Sequence, residues 1–144
     1  MPEIREITEL ATHPLRIAVL RRGIPNPDVH YPQDDDPRAF HLGAFDDDRL
    51  VGVASFSPAA WRDTADAWHL RGMAVTDEAQ GRGVGTAIIA AAVERMRGEG
   101  SRVLWCNARD TAIGFYEKLG FSVYGDGFVT PDSGLPHHAM ACDL

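Results

Sequence analysis

Cysteine is scarce in this chain: Cys106 and Cys142 are the only two in 144 residues. Two thiols make neither a zinc quartet nor a disulfide framework, so both read as reduced and no metal is expected. Long apolar runs are missing too. Nothing approaches the roughly 20 residues that cross a bilayer, and the start, Met1-Pro-Glu-Ile-Arg, carries no secretory h-region, which predicts a cytoplasmic protein without membrane contact. Lys and Arg cluster on no predicted helix face, and the net charge is −7, which argues against nucleic acid as a partner. Repeats, low-complexity tracts and linkers are absent, so residues 1–144 read as one domain. What is present is an ordinary globular composition, 44% hydrophobic and 24% charged, in a chain long enough for a core and a cleft.

Alternating Ile4 and Ile7 predict a strand over Glu3–Thr8, and Leu15, Ala18, Val19 and Leu20 recur at helical spacing within His13–Arg22. Residues 25–38, rich in Pro and Asp, read as a loop with the Asp34-Asp35-Asp36 run in solvent. Phe40–Phe45 and Leu50–Phe56 flank the turn residues Asp46 to Arg49, a hairpin signal. Ala67–Val75 is the next strand, with Gly72 as a candidate bulge. A helix then shows Gly85, Ile88, Ile89, Ala92 and Met96 on one stripe and stops at Gly98 or Gly100. Arg102–Asn107 reads as a strand and Thr111–Leu119 as a helix with Asp110 as its N-cap and Gly120 just past its end. Phe121–Val129 and His138–Cys142 make a final hairpin. This order predicts an α/β or α+β architecture with a mixed sheet.

The segment Ala79-Gln80-Gly81-Arg82-Gly83-Val84-Gly85-Thr86 joins an apolar strand to a helix through three alternating glycines. Glycines let main-chain N–H groups turn toward a ligand, and a helix N-terminus brings unpaired donors and partial positive charge. Together they suit a pyrophosphate. The dinucleotide fingerprint G-x-G-x-x-G fails, since Thr86 or Ile88 stands where its last glycine belongs, and no Lys follows to make a nucleotide P-loop.

Gln80, two residues, Gly83, one residue and Gly85 resemble the acyl-CoA pyrophosphate motif of the Gcn5-related N-acetyltransferase family. A second segment agrees: Asn107 at a strand end, followed by Phe115-Tyr116 and Gly120-Phe121, is similar to the acceptor-side motif of that family. The resemblance covers nearly the whole chain. It implies the acyl-CoA N-acyltransferase-like fold, a mixed and mostly antiparallel sheet of about seven strands flanked by helices and splayed at the cofactor. It also implies acetyl transfer from acetyl-CoA to a primary amine of a small molecule, a peptide or a protein, by direct attack in a ternary complex. A non-catalytic acyl-CoA sensor is the alternative. Dimers are frequent among such proteins, so a homodimer stays open.

Under that resemblance the main chain of Met73, Ala74 and Val75 meets the pantetheine arm and the thioester carbonyl. Gln80, Gly81, Arg82, Gly83, Val84, Gly85 and Thr86 surround the pyrophosphate, and Asn107 bonds the pantetheine arm or orders a water. Tyr116 matches the general-acid tyrosine, giving its proton to the departing thiolate or a hydrogen bond to the sulfur. The base has two candidates, His69 and His137. The string Gly134-Leu-Pro-His137-His138 resembles an element found between the last two strands of some members, which favours His137. Arg21, Arg22 and Arg71 fall outside the motifs and receive no role.

Overall fold

Thr8 closes the first strand and opens the first helix. In the computed structural model, which describes residues 2–144, β1 is Glu3–Ile7, and the Thr8 hydroxyl accepts the Ala11 amide at 3.2 Å to cap α1 (Glu9–Leu15). The helix thus begins four residues before the predicted His13. Pro14 lies inside it, and a π turn follows over Arg16–Leu20, closed by Arg21 N–H on the Arg16 carbonyl at 3.1 Å.

The remaining elements are β2 (Phe40–Asp46), β3 (Arg49–Pro58), β4 (Ala67–Val75), α2 (Val84–Gly98), β5 (Val103–Arg109), α3 (Ile113–Lys118), β6 (Ser122–Val129) and β7 (Pro136–Asp143). The strands form one sheet in the order β1-β2-β3-β4-β5-β7-β6. Every neighbouring pair is antiparallel except β4 and β5, which run parallel because α2 carries the chain back across the sheet. The predicted mixed, mostly antiparallel seven-stranded sheet is therefore present.

Two irregularities on β4 interrupt the regular ladders. Between the pairs Val53↔Ala74 and Ser55↔Arg71, β4 uses one residue more than β3, and Gly72 takes φ +64° in the bulge predicted there. A side chain at 72 would also press on the Arg16 Nε and the Tyr31 ring, each 3.1 Å from an added Cβ. The second irregularity is a short ladder. Strands β4 and β5 pair only from Ala67↔Val103 to Leu70↔Cys106, after which Arg71–Val75 and Asn107–Arg109 part company.

The core lies chiefly on the α2 face of the sheet. Ile88, Ile89, Ala92 and Met96 are buried there among Phe40, Leu42, Phe56 and Leu104, each larger apolar side chain contributing roughly 1.5–3 kcal/mol. On the other face α1 sets Leu15 against Val53 and Ala74.

Three predicted details are corrected. Residues 25–38 contain a 3-10 turn, Pro32–Asp35, and Asp34 is no solvated carboxylate: its side chain is 4% exposed against 75% for Asp35. The cause is Arg16, a wholly buried cation that requires a counter-ion. Its guanidinium donates to Asp34 at 2.8 and 3.2 Å, to the Val29 carbonyl at 2.7 Å and to the Ser55 hydroxyl at 2.6 Å. Asp110 does not cap α3. It begins a 3-10 turn, Asp110–Ala112, and its carboxylate accepts from His138 Nδ1 at 2.7 Å. Finally, β5 runs two residues past Asn107 and β7 starts two before His138, because Arg109 pairs with His137 across the ladder.

Candidate active site

The gap left by β4 and β5 opens into a cleft of about 370 Å³. From the α2 side it is lined by Met73, Phe115 and Tyr116, and from the α1 side by Tyr31, Arg71, Arg109 and His137. The opening therefore reaches both faces of the sheet. Asn107, exposed and alternating along β5 with the buried Cys106 and Ala108, faces the same side as Arg109. Met73, Asn107, Tyr116 and His137, scattered over 65 positions of sequence, line this one space.

The glycine segment sits beside the cleft, at the N-terminus of α2. Gly81 and Gly83 take φ +77° and +79°, and a side chain at either would meet nothing within 4 Å, so their main chain faces open space. No amide from Gly81 to Thr86 donates to an acceptor among the described residues, and the helix's first bond is Ala87 N–H to the Gly83 carbonyl at 3.0 Å. Gly85 has a different reason to be small: an added Cβ would come 2.9 Å from Cζ of Phe115. Gln80 is exposed, and its Nε2 donates to the Val75 carbonyl at 3.2 Å, tying the turn to the end of β4. Val84 and Ala74 bury their side chains, leaving only main-chain groups to a ligand, whereas Arg82 and Thr86 are exposed.

Tyr116 is packed edge-on between Phe115 and Phe121 and is 6% exposed. Burial, reinforced by the neighbouring Cys106, raises its phenol well above the usual tyrosine range, so it stays protonated. Cys106 lines the same cleft, and burial pushes its thiol up to about 12.

The two histidines differ sharply. His69 is 2% exposed and stacks on Trp105 at 3.8 Å, and burial together with Arg71 drops its pKa to about 3. It is neutral and a poor proton acceptor. His137 is also buried, but its Nδ1 lies 2.8 Å from the Leu135 carbonyl, which can only accept, so Nδ1 carries a proton and, in the neutral ring, Nε2 is the nitrogen with the lone pair.

Sequence reasoning missed Arg21, Tyr31, Arg71, Arg109 and Asp132 in the cleft wall. Arg109 was within reach, since a strand continued two residues beyond Asn107 presents it on the same side as Asn107.

Comparison with known proteins bears on this arrangement. A family model described as Acetyltransferase (GNAT) family matches residues 4–121. YitI of Bacillus subtilis, named an uncharacterized N-acetyltransferase, is 34% identical over 142 residues, 97% of this chain and 94% of its own. A Lactobacillus plantarum protein provisionally named an N-acetyltransferase superposes with a TM-score of 0.82 at 23% identity, over 99% of this chain and 98% of that one. Escherichia coli ElaA follows at 0.79 and 20%, over 99% of each chain. These two likenesses establish the fold.

Proposed function

This chain belongs to the acetyltransferase (GNAT) family, and on that premise we propose that it moves an acetyl group from acetyl-CoA to a primary amine by direct attack within a ternary complex. Residues 1–144 act as one domain. The observation that carries the reading is the run of unpaired amides from Gly81 to Thr86, set in a left-handed glycine turn next to the free edge of β4. Such a turn at a helix N-terminus suits two linked phosphates, with Arg82 adding charge from the surface.

Acetyl-CoA supplies the activated acyl thioester, and the chain supplies position and protons. The free edge of β4 over Met73–Val75 holds the pantetheine arm and directs an N–H at the carbonyl oxygen as it gains negative charge. Asn107 bonds that arm from β5. His137 Nε2 takes a proton from the attacking amine, and Tyr116 gives its own to the sulfur as the carbon–sulfur bond breaks. The raised phenol pKa does not forbid that transfer. Burial raises a thiol in this cleft in the same direction, as Cys106 shows, which offsets part of the phenol's rise.

Thiol release from acetyl-CoA, measured against amino acids, polyamines, aminoglycosides and peptide N-termini, tests the reading. Tyr116→Phe should lower turnover by about 10²–10⁴ while leaving acetyl-CoA affinity, read by calorimetry, unchanged. Undiminished turnover would remove the donor role, and absence of binding heat at millimolar acetyl-CoA would overturn the whole reading.

A further inference from the structure

Three guanidiniums, those of Arg21, Arg71 and Arg109, line the cleft, and Asp132 is the single carboxylate among its lining residues. That carboxylate is already engaged, accepting from Arg21 Nη2 at 2.8 Å. Arg109 gives one Nη2 proton to the Leu20 carbonyl at 3.0 Å and keeps further donors. Arg71 has no hydrogen-bond or ion-pair partner among the described residues, and its Nε is enclosed and unpartnered. The cleft is therefore cationic inside a chain whose net charge is −7.

Partial burial lowers the pKa of Arg71 and, with help from Arg21, that of Arg109, and the acidic groups near them, Asp132 for both and Asp34 for Arg71, do not cancel that shift. Both also feel the Tyr31 phenol and Asp132, which places them around one space. Arg71 lies on β4 beside the bulge, and Arg109 on β5 in register with His137. The two strands thus present cations from either side of the splay, next to the free imidazole nitrogen. These cations are not set for the pyrophosphate, because none of Gly81 to Thr86 lines the cleft.

We propose that the acceptor amine carries its own oxyanion, a carboxylate or a phosphate, which the Arg71 and Arg109 guanidiniums hold while the amine faces His137. Guanidinium forks match both groups, donating two parallel hydrogen bonds to a pair of oxygens. About 370 Å³ must admit both the acyl end of the donor and the amine-bearing end of the acceptor. This inference rests on the acetyltransferase reading and adds the class of acceptor to it.

Matched acceptors separate the cases: an amino acid against its carboxamide, phosphoethanolamine against ethanolamine, and a polyamine, each assayed by thiol release with acetyl-CoA. Either the carboxylate or the phosphate member should exceed its neutral partner in kcat/KM by about 30-fold or more, and the better of the two identifies the oxyanion. In Arg71→Gln and in Arg109→Gln that ratio should collapse, chiefly through KM, and Arg71→Lys should restore part of it by charge without the fork. Preference for neutral or cationic amines, or an equal loss on every acceptor in Arg71→Gln, overturns the proposal. Calorimetric titration of the same compounds onto the protein with CoA, and onto the protein alone, reads acceptor recognition without turnover. Tight binding of the anionic amine together with silence toward acetyl-CoA would sink the acetyltransferase reading and keep the acceptor class.

Discussion

Two glycines of one motif serve different ends, and substitution separates them. Gly83 needs its left-handed backbone and has free space where a side chain would go, whereas Gly85 is helical and has the Phe115 ring in that place. Gly83→Ala should cost about 1–2 kcal/mol of backbone strain and put a methyl group over the amides proposed to bind phosphate, so acetyl-CoA affinity falls. Gly85→Ala should cost about 1–3 kcal/mol through overpacking, displacing Phe115 and with it Tyr116. Urea denaturation beside calorimetry checks the pair. Equal loss of acetyl-CoA affinity in both, with stability untouched in Gly85→Ala, would contradict the assignment. His69 illustrates the same need to look past residue type. Its sequence position made it a candidate base, but stacking on Trp105 and a pKa near 3 leave it a packing residue.

At the scale of elements, the segment between α1 and β2 is held by charge. Burial opposes ionisation of Asp34, but hydrogen bonds from Arg16 and the Tyr31 amide prevail and hold its carboxyl below the usual range. Asp34→Asn leaves Arg16 buried without a counter-ion and should cost about 3–5 kcal/mol, measured by chemical denaturation; a loss under 1 kcal/mol would show the pair to be dispensable. Nearer the surface, His30 bridges Glu9 and Asp35, whose hydrogen bonds raise its pKa to about 9. A folded pKa above the unfolded value of about 6.5 means a contribution fully present below that value and lost as pH climbs through about 9. An NMR titration of the His30 ring should show its midpoint near 9, moving toward the ordinary histidine value in Glu9→Gln. A midpoint already ordinary in the wild type would refute the bridge. None of this was legible in the chain. The Asp34-Asp35-Asp36 run looks solvated because its partner, Arg16, lies 18 positions away on a turn whose start was misplaced by the unseen Thr8 cap.

For the molecule as a whole, the legible parts were those with a local signal: the period of α2, the strands flanking it, and the glycine turn that opens it. The cationic wall was not legible, because Arg71 and Arg109 become neighbours only through the parallel pairing of β4 with β5 and its early end. That early end also divides the protein mechanically. A four-residue ladder joins the β1–β4 half to the β5–β7 half, aided by packing of α2 and by ties such as Arg109 to the Leu20 carbonyl and Arg21 to Asp132. The last of these involves a carboxylate 60% exposed and contributes only about 0–1 kcal/mol. A donor whose phosphates sit at α2 and whose arm runs between the splayed strands bridges both halves at once. At a hundredfold excess over Kd it should stabilise the fold by about 2.7 kcal/mol, roughly 5–10 °C in Tm for a chain of this length. Hydrogen exchange locates the effect. With acetyl-CoA bound, protection should rise along Met73–Val75 and also along Asn107–Arg109, on opposite sides of the seam. Protection confined to Gly81–Thr86 would mean that the phosphates dock while the arm stays outside, and the strand gap would then lose its role as the place where donor and amine meet.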